Sequence, residues 1–114
     1  MKVLRVGVLA FVIMSTVHCS SSEVSRSLGA RCETRDECDE RCVRGDDYPE
    51  GLCTTSCESD GDCPITAHCI DEEGGICLYF CALDVDCEFL GVGWSCREKD
   101  SRENDQEVLV CLGD

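Results

Sequence analysis

Hydrophobic residues are gathered into one long run and several short ones. The long run, "VGVLAFVIM" from Val6 to Met14, is nine residues, well short of the roughly 20 that a membrane-spanning helix needs. It follows Lys2 and Arg5 and precedes the polar "STVH", and this order of positive, apolar and polar segments predicts an export signal over residues 1–18. Beyond it, apolar positions form no run or period that predicts a helix of ordinary length. "GICLYF" (Gly75 to Phe80) and "VLVCL" (Val108 to Leu112) have the β-branched and aromatic content of short strands. "REKDSRENDQE" (Arg97 to Glu107) is polar throughout and reads as a solvated loop. Pro49 with Gly51 in "DYPEGLC", and the stretches "GDCP" and "EEGG", mark turns.

Cysteine changes this picture most. The chain has 13 cysteines in 114 residues, above the roughly 8–10% at which a short exported chain reads as a disulfide scaffold. Twelve of them fall into three blocks of four: Cys32, Cys38, Cys42, Cys53; Cys57, Cys63, Cys69, Cys77; and Cys81, Cys87, Cys96, Cys111. The first gap is five residues in every block and the spacer between blocks is three residues both times, while the inner gaps vary. A fixed frame with variable loops is the mark of a repeated module. The expected fold is small and disulfide-rich: three short cysteine-stapled modules at 32–53, 57–77 and 81–111, with minimal β-hairpins and loops and little or no helix. Four cysteines allow three connectivities, and spacing does not decide among them. First-to-third and second-to-fourth is the order expected here, with a ladder across the spacers, marked by Cys38 to Cys57, as the alternative.

Acidic residues repeat along with the cysteines, just before the second one, in "CETRDEC", "CESDGDC" and "CALDVDC". Asp60 with Asp62 and Asp84 with Asp86 predict turns in which a short carboxylate accepts backbone N–H groups. The longer ligand array of a calcium loop is missing, so no metal or other cofactor is expected. Apolar side chains are few: Trp94, Phe80, Phe89, Tyr48, Tyr79 and scattered Leu, Ile and Val. Each module is therefore expected to hold a small core of its own, with Trp94, Tyr79 and Phe80 as packing residues and the bridges as the main source of stability.

Parity isolates Cys19. The twelve cysteines of the frame pair completely, so this one needs another fate. A lone cysteine ending the signal, then serines, then C-x5-C modules with an "SDGDCP" core and a "YPEGLC" turn, resembles the cysteine-rich lipoproteins common in myxobacteria and related bacteria. The modules are also similar to the Dickkopf-type cysteine-rich repeats of animals. The resemblance implies cleavage before Cys19 and acylation of its thiol, with Ser20 behind it agreeing with sorting to the outer membrane. Residues 19–31 would then be a flexible, Ser-rich tether. The sequence departs from the usual lipoprotein signal at Thr16 and His18, where Leu and a small residue are the rule. The alternative fate is cleavage within Cys19 to Ser22 by an ordinary signal peptidase, giving a soluble secreted protein.

Charge and the remaining motifs bound the activity. Without Lys2 and Arg5 the chain keeps 8 basic residues against 24 acidic ones, a net charge of −16. Such a chain repels nucleic acid and anionic headgroups and leaves room for cationic partners. His68 is the single histidine beyond the signal and has no second imidazole to help it, and no nucleophile elbow, zinc-protease motif or phosphate loop is present. No enzyme and no small-molecule substrate is expected. Arg44, Gly45 and Asp46 form an Arg-Gly-Asp triplet inside "CVRGDDYPEGLC", a candidate adhesive loop, although the disintegrin cysteine order is absent. Arg44 and Arg97 are the candidate specificity residues if the scaffold inhibits a protease. The expected function is that of an exported, lipid-anchored surface protein with a structural or protein-binding role. The alternative is a soluble secreted ligand, adhesive or inhibitory.

Overall fold

A computed structural model describes residues 24–114. The expected export signal and Cys19 lie outside the described residues. Each cysteine block builds the same unit. Its C-x5-C segment turns through a 3-10 helix, at Arg35–Glu37, Asp60–Asp62 and Asp84–Leu90 respectively. An antiparallel hairpin follows: β1 (Arg41–Val43) with β2 (Leu52–Thr54), β3 (Ala67–Ile70) with β4 (Ile76–Tyr79), and β5 (Trp94–Asp100) with β6 (Glu107–Gly113).

The third and fourth cysteines of each block face one another across the ladder, Cys42 opposite Cys53, Cys69 opposite Cys77 and Cys96 opposite Cys111. Directly opposed residues project on the same face of a sheet, so both sulfurs reach the 3-10 turn lying there. The bridges are accordingly Cys32–Cys42, Cys38–Cys53, Cys57–Cys69, Cys63–Cys77, Cys81–Cys96 and Cys87–Cys111. This is the first-to-third, second-to-fourth order, and Cys38 does not bridge to Cys57.

The spacers explain how the hairpins stack. Thr55 and Ser56, leaving β2, run beside β4: the Cys77 N–H donates to the Thr55 carbonyl at 3.1 Å and the Cys57 N–H to the Gly75 carbonyl at 3.1 Å. Ser56 pairs with Ile76, and one block later Phe80 pairs with Val110 in the same way while the Cys81 N–H donates to the Leu109 carbonyl. The segment that ends one hairpin is thus an edge strand of the next. Thr54, fully buried, donates its hydroxyl to the Cys77 carbonyl at 2.6 Å within this seam.

This continuity corrects the expectation of three small separate cores. One apolar cluster runs through all three units, from Leu28, Val43 and Leu52 through Ile70, Ile76 and Leu78 to Trp94, Val110 and Leu112. Among the described residues only the first unit keeps a small cluster of its own, around Cys32, Cys38 and Cys53. A hairpin of three or four residues per strand cannot bury both its faces alone, whereas stacked hairpins share one buried face.

Two further expectations give way for the same reason. The stretch Arg97 to Glu107 is not a loop throughout, since Arg97 to Asp100 belong to β5 and Glu107 opens β6. Its polar residues are held in register by the apolar partner strand and by contacts to the other units. The Asp71 N–H donates to the Asp100 carbonyl, the Arg102 N–H to the Cys69 carbonyl and the Gly113 N–H to the Asp47 carbonyl. Arg102 also binds Glu58 and Asp71, and Lys99 binds Glu72. The long third hairpin therefore grips the second unit at one end and the first at the other. The segment 19–31 is likewise not all tether. Leu28 is buried, the Gly29 N–H donates to the Cys53 carbonyl, and the Tyr79 hydroxyl donates to the Leu28 carbonyl at 2.9 Å.

Two glycines permit the close passage of the entry segment past the hairpin. Gly51 and Gly75 both stand two residues before the fourth cysteine of their block, with φ of 82° and 104°, and a Cβ on either would overlap the carbonyl oxygen of Cys32 or Cys57. Gly74 also has positive φ, at 80°, but nothing lies near it. Gly51→Ala is therefore expected to lower unfolding stability by more than about 3 kcal/mol, combining backbone strain with overlap, and Gly74→Ala by about 1 kcal/mol. Denaturant titration of the two variants checks this. Equal losses would contradict the close approach at Gly51.

Candidate functional site: an aromatic cleft between the second hairpin and the third turn

The repeated carboxylates serve the turns. Glu37 Oε2 accepts the Glu33 N–H at 3.1 Å, Asp62 Oδ2 the Glu58 N–H at 2.9 Å, and Asp86 Oδ2 the N–H groups of Ala82 and Leu83 at 2.9 Å each. Each therefore closes its own C-x5-C segment. The other member of the D-x-D pairs reaches the hairpin, where Asp60 Oδ1 accepts the Cys69 N–H at 2.8 Å and Asp84 Oδ1 the Cys96 N–H at 2.9 Å. In the first unit Arg35 takes that position and donates instead to the Glu40 carbonyl. Among the described residues, the groups of three potential metal ligands that come together are cysteine sulfurs within 4.8 Å of one another, all of them bound in bridges.

Each motif residue has a place in this framework. Arg44, Gly45 and Asp46 are exposed, yet the Arg44 guanidinium folds back to donate to the Cys32 carbonyl at 2.7 Å. Tyr48 fixes the rest of that loop in the core, and burial, followed by the charges of Glu73 and Glu72, raises its hydroxyl pKa. Arg97 donates to the Gly113 carbonyl at 2.6 Å and to Asp47 at 3.5 Å. Both arginines are thus tied to backbone carbonyls of the scaffold. His68 Nδ1 lies 3.1 Å from Asp60 Oδ2 and its ring packs against Phe80 at 5.6 Å.

Phe80 lines a concavity of the surface. Tyr79, Phe80, Cys81 and Phe89 wall a cleft of about 390 Å³, closed by Thr66 and Ala82, with the Asp86 carboxylate as its charged member. Tyr79 and Phe89 meet edge to face at 5.0 Å, a favoured aromatic geometry. Tyr79 is buried, as expected of a packing residue, but Phe80 is 50% exposed and Phe89 39%. By sequence Phe80 reads as a packing residue, since it ends the apolar run Gly75 to Phe80 and lies between Cys77 and Cys81. A usable signal was present: the residue before the first cysteine of a block is Arg31, Ser56 or Phe80, and the first two are polar.

No protein-family model, curated protein or solved structure matches the chain. The class it defines is a small disulfide-rich protein of three stacked cysteine hairpins. Six bridges require an oxidising compartment, so the protein is exported from the cytoplasm. Among the described residues no helix is long and apolar enough to cross a membrane.

The Ala82 and Leu83 N–H groups hold the Asp86 carboxyl below the usual carboxylate range. At Asp60 burial acts upward, but the Cys69 N–H and the His68 ring outweigh it and the net shift is down. A depressed carboxylate contributes stability that is complete above the unfolded pKa of about 4 and lost as pH falls through the lower folded value. The stability difference between the natural protein and Asp86→Asn should accordingly be constant from about pH 7 to pH 5 and shrink below about pH 4. Denaturant midpoints across pH measure it. A difference that survives unchanged in strong acid would show that the carboxylate's charge has no part in closing the turn.

Proposed function

We propose that the chain is an exported surface protein, held to a membrane through an acylated Cys19, that acts by binding another protein and carries out no catalysis. The observation that carries the anchor is the pairing. All twelve cysteines from Cys32 onward are bridged within their own blocks, so none is left to receive Cys19. The resemblance to cysteine-rich bacterial lipoproteins, with Cys19 at the end of an export signal and Ser20 behind it, supports the same fate and an outer-membrane location. A role in binding is supported by the cleft and by a stapled framework that presents it with little conformational freedom, which reduces the ordering cost of association. Catalysis is set aside because His68 is engaged with Asp60 and Phe80, and the carboxylates of the turns are engaged with backbone N–H groups.

Acylation anchors a chain by about 0.8 kcal/mol per buried CH₂, and two or more acyl chains hold it stably. Cys19→Ser is expected to leave the six bridges intact while moving the protein from the detergent phase to the aqueous phase or stalling it as uncleaved precursor. Intact mass spectrometry of the natural protein should find an N-terminus at Cys19 with added lipid mass. An unmodified N-terminus between Ser20 and Glu23 would establish soluble secretion instead.

A further inference from the structure

Comparing the three repeats with one another isolates apolar side chains that stand partly open to solvent. The residue before the first cysteine is exposed in every unit, as Arg31, Ser56 and Phe80. Two residues after the second cysteine stand Glu40, Ile65 and Phe89, all at least partly open to solvent. At the second and fourth positions of the C-x5-C turn the first unit has Thr34 and Asp36 and the second has Ser59 and Gly61. The third has Leu83 and Val85, which are 65% and 56% exposed. The first two units show that the turn forms with polar residues or none at these places. The third unit sets apolar ones there, next in sequence to Ala82 and Asp86 of a cleft walled by Phe80 and Phe89, and exposed apolar surface of this kind marks interaction sites.

Charge selects the occupant. From Gly45 to Cys96 the chain has twelve Asp and Glu residues and no Lys or Arg. Asp47, Glu50, Glu58, Asp71 and Glu72 pair with basic side chains from outside this stretch, whereas Asp84, Asp86 and Glu88 of the third turn meet none among the described residues. Asp86 lines the cleft, and its Oδ2 accepts two backbone N–H groups while Oδ1 has no hydrogen bond among the described residues. A net charge of −16 after removal of Lys2 and Arg5 opposes seating a second copy there, and it opposes an anionic lipid surface as well. The volume of about 390 Å³ is near the lower end for ligand sites and suits a side chain or two of a larger partner. We infer that this cleft, with Leu83 and Val85 beside it, docks a cationic amphipathic segment of another protein. An apolar side chain of the partner sits against Phe80 and Phe89, and a Lys or Arg of the partner pairs with Asp86 Oδ1. This rests on the protein-binding role proposed above and is independent of the lipid anchor.

The test uses the exported chain carrying Cys19→Ser, which removes any acyl group, and three synthetic amphipathic peptides of equal length. One is built from Lys, Leu and Phe, one from Lys and Ala with the same charge, and one from Glu, Leu and Phe. Fluorescence anisotropy at physiological salt should show the first binding at least about tenfold tighter than either other peptide. Phe80→Ser and Phe89→Ser should each weaken it by about tenfold, as expected when a central aromatic anchor is lost. Val92→Ser, at a site 96% exposed and outside the cleft, should leave it unchanged. Leu83→Ser, on the exposed turn, supplies the same test if either phenylalanine variant fails to form its bridges. Equal binding of the Lys/Ala peptide would reduce the effect to bulk charge and overturn the inference. So would indifference to Phe80→Ser, a dimer that Phe80→Ser abolishes, or docking of anionic vesicles through these residues. An intact anchor with no peptide binding would fail this inference alone, whereas peptide binding by a chain never acylated would fail only the lipoprotein reading.

Discussion

Each three-residue spacer belongs to two hairpins at once, and the rest of the structure depends on that. Thr54 to Ser56 completes the first hairpin and supplies an edge to the second, and Leu78 to Phe80 does the same for the second and third. A longer spacer would let the hairpins separate, and each would then expose the face it now buries. The constraint also explains the glycines. For the entry segment to lie against the second strand, Gly51 and Gly75 must pass the carbonyls of Cys32 and Cys57 without a side chain.

Bridges and core act on different states of the chain. The six bridges close loops whose ends are separated by 10 to 24 residues, and in the chain-entropy account a 15-residue loop is worth about 3 kcal/mol through restriction of the unfolded ensemble. They tie each turn to its own hairpin and none of them crosses a spacer. Apart from the spacers themselves, what joins one unit to the next is therefore non-covalent: the shared cluster around Ile76, Leu78 and Val110, the spacer hydrogen bonds, and the grip of the third hairpin through Arg97 on Asp47, Lys99 on Glu72 and Arg102 on Glu58 and Asp71. Outside these joints the third unit leaves apolar side chains partly open to solvent: Leu83 and Val85 on its turn, and the outer faces of Phe80 and Phe89, whose other contacts are to His68 and Tyr79.

Much of this was legible in the chain. Cysteine spacing revealed the repeat, the acidic residue before each second cysteine revealed the turn, and the apolar runs at Gly75 to Phe80 and Val108 to Leu112 revealed β4 and β6. Other features depended on partners far away in sequence. Arg97 to Asp100 carries no apolar alternation because its strand character comes from pairing with Val110, Leu109 and Val108 and ending at Glu107. Leu28 stands in a serine-rich stretch that reads as linker until Tyr79 and Cys53 supply hydrogen bonds to its neighbourhood. The cleft was half legible: setting the three units in register puts Phe80 where Arg31 and Ser56 face solvent, but only the fold brings Phe89 beside it.

Native-state hydrogen exchange, read in each unit at one amide that ties the entering segment to the hairpin, tests the shared core most directly. The N–H groups of Cys53, Cys77 and Cys81 donate to Ala30, Thr55 and Leu109 respectively, so each reports whether a hairpin keeps its neighbouring strand. In a protein that unfolds as one cooperative unit these amides open with the same free energy. Leu78→Ala, which removes a side chain 1% exposed at the seam, then lowers all three by the same amount. Three distinct opening energies, with Leu78→Ala felt at Cys77 alone, would show independent modules and contradict the account.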